Sequence, residues 1–294
     1  MTTTKPDAYI DVSDMRLGDR MACAWWAQQR RIKEGLRFAL LDRNFKLAER
    51  FNLAEYFPTT FTSEIDEAQI KASKLPEWHQ GNLWLTVSNA YAKTPVAGHF
   101  EHVPDAVQKR AAELRAGKKS RPRVLIHQLN DACYNRARNW QAADAAALFP
   151  ALEALGFEVV LLNPAKQKFL GGYAEMLAQM LACDAFIGGD TGPSHVFALL
   201  CADKPQFAIY PDMARDQKLF EPERVELGLE QAWSSMPLRP DVALLTLRDG
   251  RRWALRRGLP RWERVGRFRA QDAVKAFLGV MPAPRGINSA SGSA

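Results

Sequence analysis

A carboxylate, a turn of small residues and an imidazole stand together in Asp190-Thr191-Gly192-Pro193-Ser194-His195. Ahead of them runs Ala185-Phe186-Ile187-Gly188-Gly189, a short apolar segment ending in two glycines. Behind them runs the apolar Val196-Phe197-Ala198-Leu199-Leu200. The pattern predicts a buried strand, a tight turn and a helix start. Thr191 is placed to cap the helix, and Pro193 falls in its first turn, where a missing amide loses no hydrogen bond. The first amides of such a helix point into the turn and make a ready anion site. Free amides with a carboxylate and an imidazole suit binding a phosphorylated ligand and acting on it. A lone Asp-Thr-Gly is more often an ordinary turn beside a core histidine, so the weight falls on what accompanies it.

Two further segments accompany it. Leu17-Gly18-Asp19 follows the first strand candidate; taken alone, its aspartate reads as a helix cap. Arg138-Asn139-Trp140 precedes a helical run, with Arg136 nearby. An arginine can grip phosphate in two-pronged fashion. Its ordinary reading is a surface side chain at a helix start, a position the helix dipole mildly disfavours for a cation.

In this order the three segments resemble the family 9 glycosyltransferases, the group that contains the lipopolysaccharide heptosyltransferases. That family's pattern is an apolar strand, Asp-Thr-Gly-x-x-His, a small-residue helix, and a strand after a proline. Lys204-Pro205-Gln206-Phe207-Ala208-Ile209-Tyr210 supplies the last strand. The resemblance covers most of the chain and is strongest from Val124 to Pro211. It implies an α/β protein of two Rossmann-like domains facing across a cleft, the GT-B arrangement. The activity it implies is inverting transfer of a sugar, hexose or heptose, from a nucleotide-sugar to a hydroxyl. The acceptor would be a surface-glycan or lipopolysaccharide precursor, another lipid-linked glycan, a protein or a nucleobase. Gly18 would lie at the donor, and Asp19 would be the general base that takes the acceptor's proton. Arg138 stands where the family commonly has the lysine of Lys-x-Trp and would neutralise the departing diphosphate. Amides at Thr191 and Gly192, with Pro193, would hold that diphosphate. Asp190 would accept hydrogen bonds from the sugar, and His195 would contact phosphate or sugar. Neither metal nor cofactor is implied.

The chain departs from the family pattern in places. The region between Phe57 and Asp105, which shapes the acceptor side, is short. Asn163-Pro164-Ala165-Lys166 stands where an acidic residue would meet a ribose, and Tyr210-Pro211-Asp212 replaces Gly-Pro-Thr. These departures leave the nucleotide base and the sugar open. They also keep a second class of function in view: a non-catalytic protein of the same fold that binds nucleic acid, membrane or a protein partner. A dehydrogenase is disfavoured, since no G-x-G-x-x-G follows a strand.

Charge supplies the surface for that second reading. Between Arg248 and Arg269 nine arginines face only Asp249 and Glu263, so this segment matches the whole chain's net charge of +7. The rest of the chain is therefore near neutral. Such a face suits an anionic membrane surface, a phosphorylated acceptor or nucleic acid, and is also what a solvated surface looks like. Cys23, Cys133, Cys183 and Cys201 form no C-x-x-C pair and no cluster with histidine, so they read as buried small hydrophobes rather than zinc ligands or a disulfide framework. No apolar run reaches the ~18 residues of a membrane span. Met1 to Asp14 is polar and leads into no signal-like segment. A cytoplasmic protein is expected, with a peripheral place at the inner membrane face as the variant the arginines allow.

The elements that must position these residues follow from periodicity and breakers. Strands are predicted at Ala8–Val12, Phe38–Asp42, Leu83–Val87, Val124–His127, Glu158–Leu162 and after Pro205. Helices are predicted at Met21–Lys33, Phe45–Phe51, Asp105–Arg115, Trp140–Leu155, Tyr173–Cys183 and Ala270–Leu278. Gly35 and Gly156 serve as stops. The strand-helix alternation favours parallel sheets. An Asp249-Gly250 turn predicts a hairpin across Leu245–Leu255. The division expected is a shortened acceptor-side domain at 1–116 and a linker at 117–122. A donor domain with the arginine-rich hairpin and closing helix spans 123–286, and a small polar tail spans 287–294.

Overall fold

The computed structural model describes residues 6–13, 15, 17–42, 53–62, 68, 99–116, 121–128, 142–162, 172–189, 191–210, 242–246, 252–256 and 263–265. The predicted segments Phe45–Phe51, Leu83–Val87 and Ala270–Leu278, and the tail 287–294, lie outside the described residues. The first part runs β1 (Ala8–Asp11), α1 (Leu17–Glu34), β2 (Phe38–Leu41), α2 (Leu53–Tyr56) and β3 (Phe61–Thr62). α3 (Asp105–Ala116) leads into β4 (Arg123–His127), α4 (Ala142–Ala154), β5 (Glu158–Leu161), α5 (Gly172–Leu181), β6 (Ala185–Gly188), α6 (Gly192–Leu200) and β7 (Gln206–Tyr210). β8 (Val242–Thr246), β9 (Arg252–Arg256) and β10 (Glu263–Val265) complete the described elements.

Two sheets form. β1, β2 and β3 make a parallel three-stranded sheet, with Ala8 opposite Phe38 and Leu40 opposite Phe61. The second has seven strands in the order β10-β9-β8-β7-β6-β4-β5. It is parallel from β8 through β5 and ends in the antiparallel ribbon β8-β9-β10. β8 and β9 pair antiparallel, while the Asp249-Gly250 turn predicted between them lies outside the described residues, and the mixed α/β class with parallel sheets is as the chain's alternation predicts. β4 and β6 are buried along their whole length, as strands covered on both faces must be.

α1 lies between the sheets. It packs on β2 of the first sheet and on α6, which in turn packs on β6 of the second. Every residue from Met21 to Gln29 is buried, Trp25 and Trp26 among them, because partners cover more than one side. The polar Gln28 is accommodated there by a two-way bond. Its Nε2 donates to the His99 carbonyl at 2.7 Å, and its Oε1 accepts the His99 amide at 3.0 Å. The next amide, Phe100, donates to the Leu199 carbonyl near the end of α6 at 3.3 Å. The late part of α1 therefore neighbours the late part of α6, and the two helices run in the same direction.

α1 also corrects the expected boundary. It begins at Leu17 rather than Met21, so Gly18 and Asp19 lie in its first helical turn and not in a preceding loop. An acidic residue in the first turn interacts favourably with the unpaired amides there. Gly35, at φ 71°, ends α1, and Gly156, at φ 89°, follows α4, both in the left-handed region that favours glycine.

α3 packs on α5. Arg110 Nε donates to Glu175 Oε2 at 2.9 Å, and Arg115 Nη2 to Asp184 Oδ1 at 2.5 Å. Asp184 Oδ2 accepts the Arg123 amide at 2.8 Å, tying the start of β4 to the same corner. Within the stretch read as a linker, residues 117–120 lie outside the described residues, while Arg121 and Pro122 are fixed in place. Arg121 Nε donates to the Gly156 carbonyl at 3.1 Å, and the Pro122 carbonyl accepts the Glu158 amide at 2.9 Å. Among the described residues, no helix is long and apolar enough to cross a membrane.

Candidate active site

Strand order locates the crevice of the second sheet. The chain leaves β4 for β5 on one side, then returns through α5 to β6 on the other side. The carboxyl ends of β4 and β6 are thus the point where the order reverses, which is where open α/β sheets bind ligands. His127 ends β4 directly opposite Gly188, which ends β6. The Thr191–His195 turn sits immediately beyond.

The turn is braced from beneath. Thr191 occupies the N-cap position of α6 with extended backbone (φ −143°, ψ 160°), yet its side chain makes no capping bond, which corrects the expected cap. Its hydroxyl instead lies 3.1 Å from His127 Nδ1 and 3.2 Å from Ser194 Oγ. Ser194 Oγ donates to the Gly189 carbonyl at 2.5 Å, and Gln206 Nε2 donates to the Ser194 carbonyl at 2.9 Å. His127, Thr191, Ser194 and Gln206 are all buried. The first glycine of the pair has a steric reason: a Cβ at position 188 would lie 2.5 Å from the Phe186 ring and 2.9 Å from Ser194 Oγ. Pro193 falls in the first turn of α6, as expected.

The first turns of α1 and α6 fit into one another. A Cβ at Gly192 would lie 3.3 Å from Leu17 Cβ and Cδ2, and a Cβ at Gly18 would lie 3.2 Å from His195 Cδ2 and 3.8 Å from the Gly192 nitrogen. Each helix presents a glycine where the other presents a side chain. Segments separated by more than half the chain's length thereby meet. Because the helices run in the same direction, the positive ends of both macrodipoles lie side by side, a combined field that favours an anion.

Asp19 is half-buried in that first turn. Its position is fixed by the next residue. Arg20 is buried, its Nη1 donating to Asp42 Oδ2 at 2.7 Å and its Nη2 to the Ser13 carbonyl at 2.7 Å. Arg20 thus joins the loop after β1, the start of α1 and the end of β2. One turn on, burial pushes the Cys23 thiol well above its ordinary pKa. The Asp19 charge pushes the same way, and Arg20 opposes both. Cys23 is therefore a neutral thiol and no nucleophile.

Of the residues singled out in the sequence, the structure brings together Gly18, Asp19, Thr191, Gly192, Pro193 and His195. Asp190, Arg138 and its competitor Arg136 lie outside the described residues. His195 is 3% exposed, with its ring edge on Gly18. Sequence reasoning missed His127, Ser194 and Gln206 as supports of the turn. The signal for His127 was a polar residue closing an otherwise apolar strand.

No family model matches this chain, and no curated protein does. Among solved structures, a glycosyl transferase of family 9 from Veillonella parvula is similar, with a TM-score of 0.51 over 84% of this chain and 87% of that one at 12% identity. A bacterial iron-containing dodecameric glycosyltransferase, TibC from enterotoxigenic E. coli, superposes at a TM-score of 0.44 over 69% of this chain and 57% of that one at 14% identity. At such identities the likeness is one of fold: the chain is built like a family 9 glycosyltransferase.

Proposed function

We propose that the protein is an inverting glycosyltransferase. It would move a sugar from a nucleoside-diphosphate donor to the hydroxyl of an acceptor. The observation that supports this reading is the contact of Leu17 and Gly18 with Gly192 and His195, which joins the first turn of α1, where Asp19 stands, to the first turn of α6. An acceptor oxygen attacking the anomeric carbon must lose its proton, and the sugar–phosphate bond must break with negative charge growing on the diphosphate. A carboxylate meets the first need and paired helix N-termini the second. In this reading Asp19 takes the proton, and the Gly192 end of α6 receives the diphosphate with Thr191 and Pro193. Asp190 holds the sugar, and Arg138 adds a cation. Gly18 lets the two turns approach. His195 is the least exposed of the described set and is given the phosphate or the sugar. The chemistry assigned to these side chains calls for no metal.

For the acceptor we propose a surface-glycan or lipopolysaccharide precursor, with Arg248–Arg269 meeting its phosphates or an anionic membrane. The support is the concentration of nine arginines in that one segment, of which β10 is an edge strand of the seven-stranded sheet and β9 its neighbour. A cytoplasmic or peripheral inner-face location goes with such an acceptor. The test of the central reading is release of nucleoside diphosphate from a panel of nucleotide-sugars. Release by the wild type from one donor, with wild-type binding but little release in Asp19→Asn, supports it. No binding and no release from any donor would overturn it.

A further inference from the structure

We propose that His127 is a positioning residue for the diphosphate turn, acting as a hydrogen-bond donor through Nδ1. The inference rests on the donor-site reading above but is argued from a separate set of contacts. Three buried contacts run in series: His127 Nδ1 to Thr191 Oγ1 at 3.1 Å, Thr191 Oγ1 to Ser194 Oγ at 3.2 Å, and Ser194 Oγ to the Gly189 carbonyl at 2.5 Å. Each hydroxyl has one proton to donate. A carbonyl can only accept, so the Ser194 proton goes to Gly189. Ser194 Oγ must then accept in the middle contact, which takes the Thr191 proton. That leaves the Thr191 oxygen as acceptor toward the ring, and the proton between them must come from His127 Nδ1–H. The direction of the chain, His127 to Thr191 to Ser194 to Gly189, follows from counting protons.

The chain has a consequence for the turn above it. Its two ends are strand ends: His127 closes β4, and Gly189 follows β6. Between them the Thr191 hydroxyl is drawn down toward the sheet and away from the helix cap. Of the first α6 amides, Pro193 has none, and those of Ser194 and His195 donate to the Thr191 carbonyl at 3.0 and 3.3 Å. By holding Thr191, the chain fixes the start of α6 and with it the direction of the Gly192 amide, the one this reading gives to the ligand. Gln206, holding the Ser194 carbonyl from β7 at 2.9 Å, fixes the same turn from the other side.

Two measurements test this. In the wild-type protein, the imidazole ¹H–¹⁵N spectrum should show His127 carrying a proton on Nδ1. A ring protonated on Nε2 alone would overturn the proton chain whatever the ligand. Nucleoside diphosphate affinity is then measured by calorimetry with ADP, GDP, UDP and CDP. His127→Leu should lower the affinity of the best binder roughly tenfold, the scale of one lost buried hydrogen bond. His127→Asn, whose amide can donate from nearly the same place, should recover most of it. Thr191→Val should cost about as much and add little in the His127→Leu background, since both break one chain. Unchanged affinity in His127→Leu, or equal loss in His127→Asn, would overturn the positioning role. If wild type binds none of the four diphosphates, the donor-site reading fails and the positioning role falls with it; the ring spectrum still decides the proton chain by itself.

Discussion

At the scale of single residues, the account turns on Asp19. Asp19→Asn keeps the side chain's size and place in the first turn of α1 but removes its capacity to take a proton. Turnover with saturating donor should fall by ~100-fold or more while donor affinity stays close to wild type, the usual scale for a lost general base. Steady-state kinetics beside calorimetric donor binding checks it, and near-normal turnover would remove Asp19 from that role. The family resemblance singles out Asp19, but its place inside the first turn of α1 was not legible in the sequence. Nor was the Thr191 side chain: its residue type is right for a helix cap, but the nearest strong partner is His127, far away in the chain. Propensity rules see only local partners, and here a long-range one won.

Most elements were legible because each carries its own start, stop or period. Gly35 and Gly156 stop their helices, and Asp249-Gly250 separates β8 from β9. The first turn of α1 was misplaced because Gly18 lowers helix propensity, while its value comes from packing against α6. Gly18→Val should therefore act as a wedge. A Cβ already meets His195 Cδ2 at 3.2 Å, and further methyls must push the helices apart, costing about 1–3 kcal/mol. Urea unfolding would measure that loss, and wild-type stability would show that the contact is loose. The loop that enters α1 depends on the buried Arg20–Asp42 pair. Arg20→Met leaves Asp42 buried without its cation and should cost about 3–5 kcal/mol, again read from urea midpoints.

At the scale of the whole molecule, the joining of the two sheets through α1 and α6 was not legible. Strand and helix periods say which face is apolar but not which distant face covers it. The same burial fixes the thiols. Cys183 and Cys201 are each pushed up to about 12 by desolvation first, with nearby cations opposing. Raised folded values mean that these thiols ionise more readily in the unfolded chain. Their contribution to stability is full below the unfolded value of 9.0 and is lost as pH rises toward about 12. Urea midpoints should therefore fall between about pH 8 and about pH 10.5, and fall less steeply in the Cys183→Ala/Cys201→Ala variant. An identical fall in both proteins would show that the thiols do not contribute. The central claim is that two helix N-termini, brought together from distant parts of the chain, form a diphosphate site. The direct measurement is a crystal structure with a bound nucleoside diphosphate. The account predicts phosphate oxygens at the Gly192 end of α6, facing the first turn of α1, with Asp19 on the open side. A diphosphate bound elsewhere, with the Leu17–Gly192 and Gly18–His195 contacts intact, would contradict it.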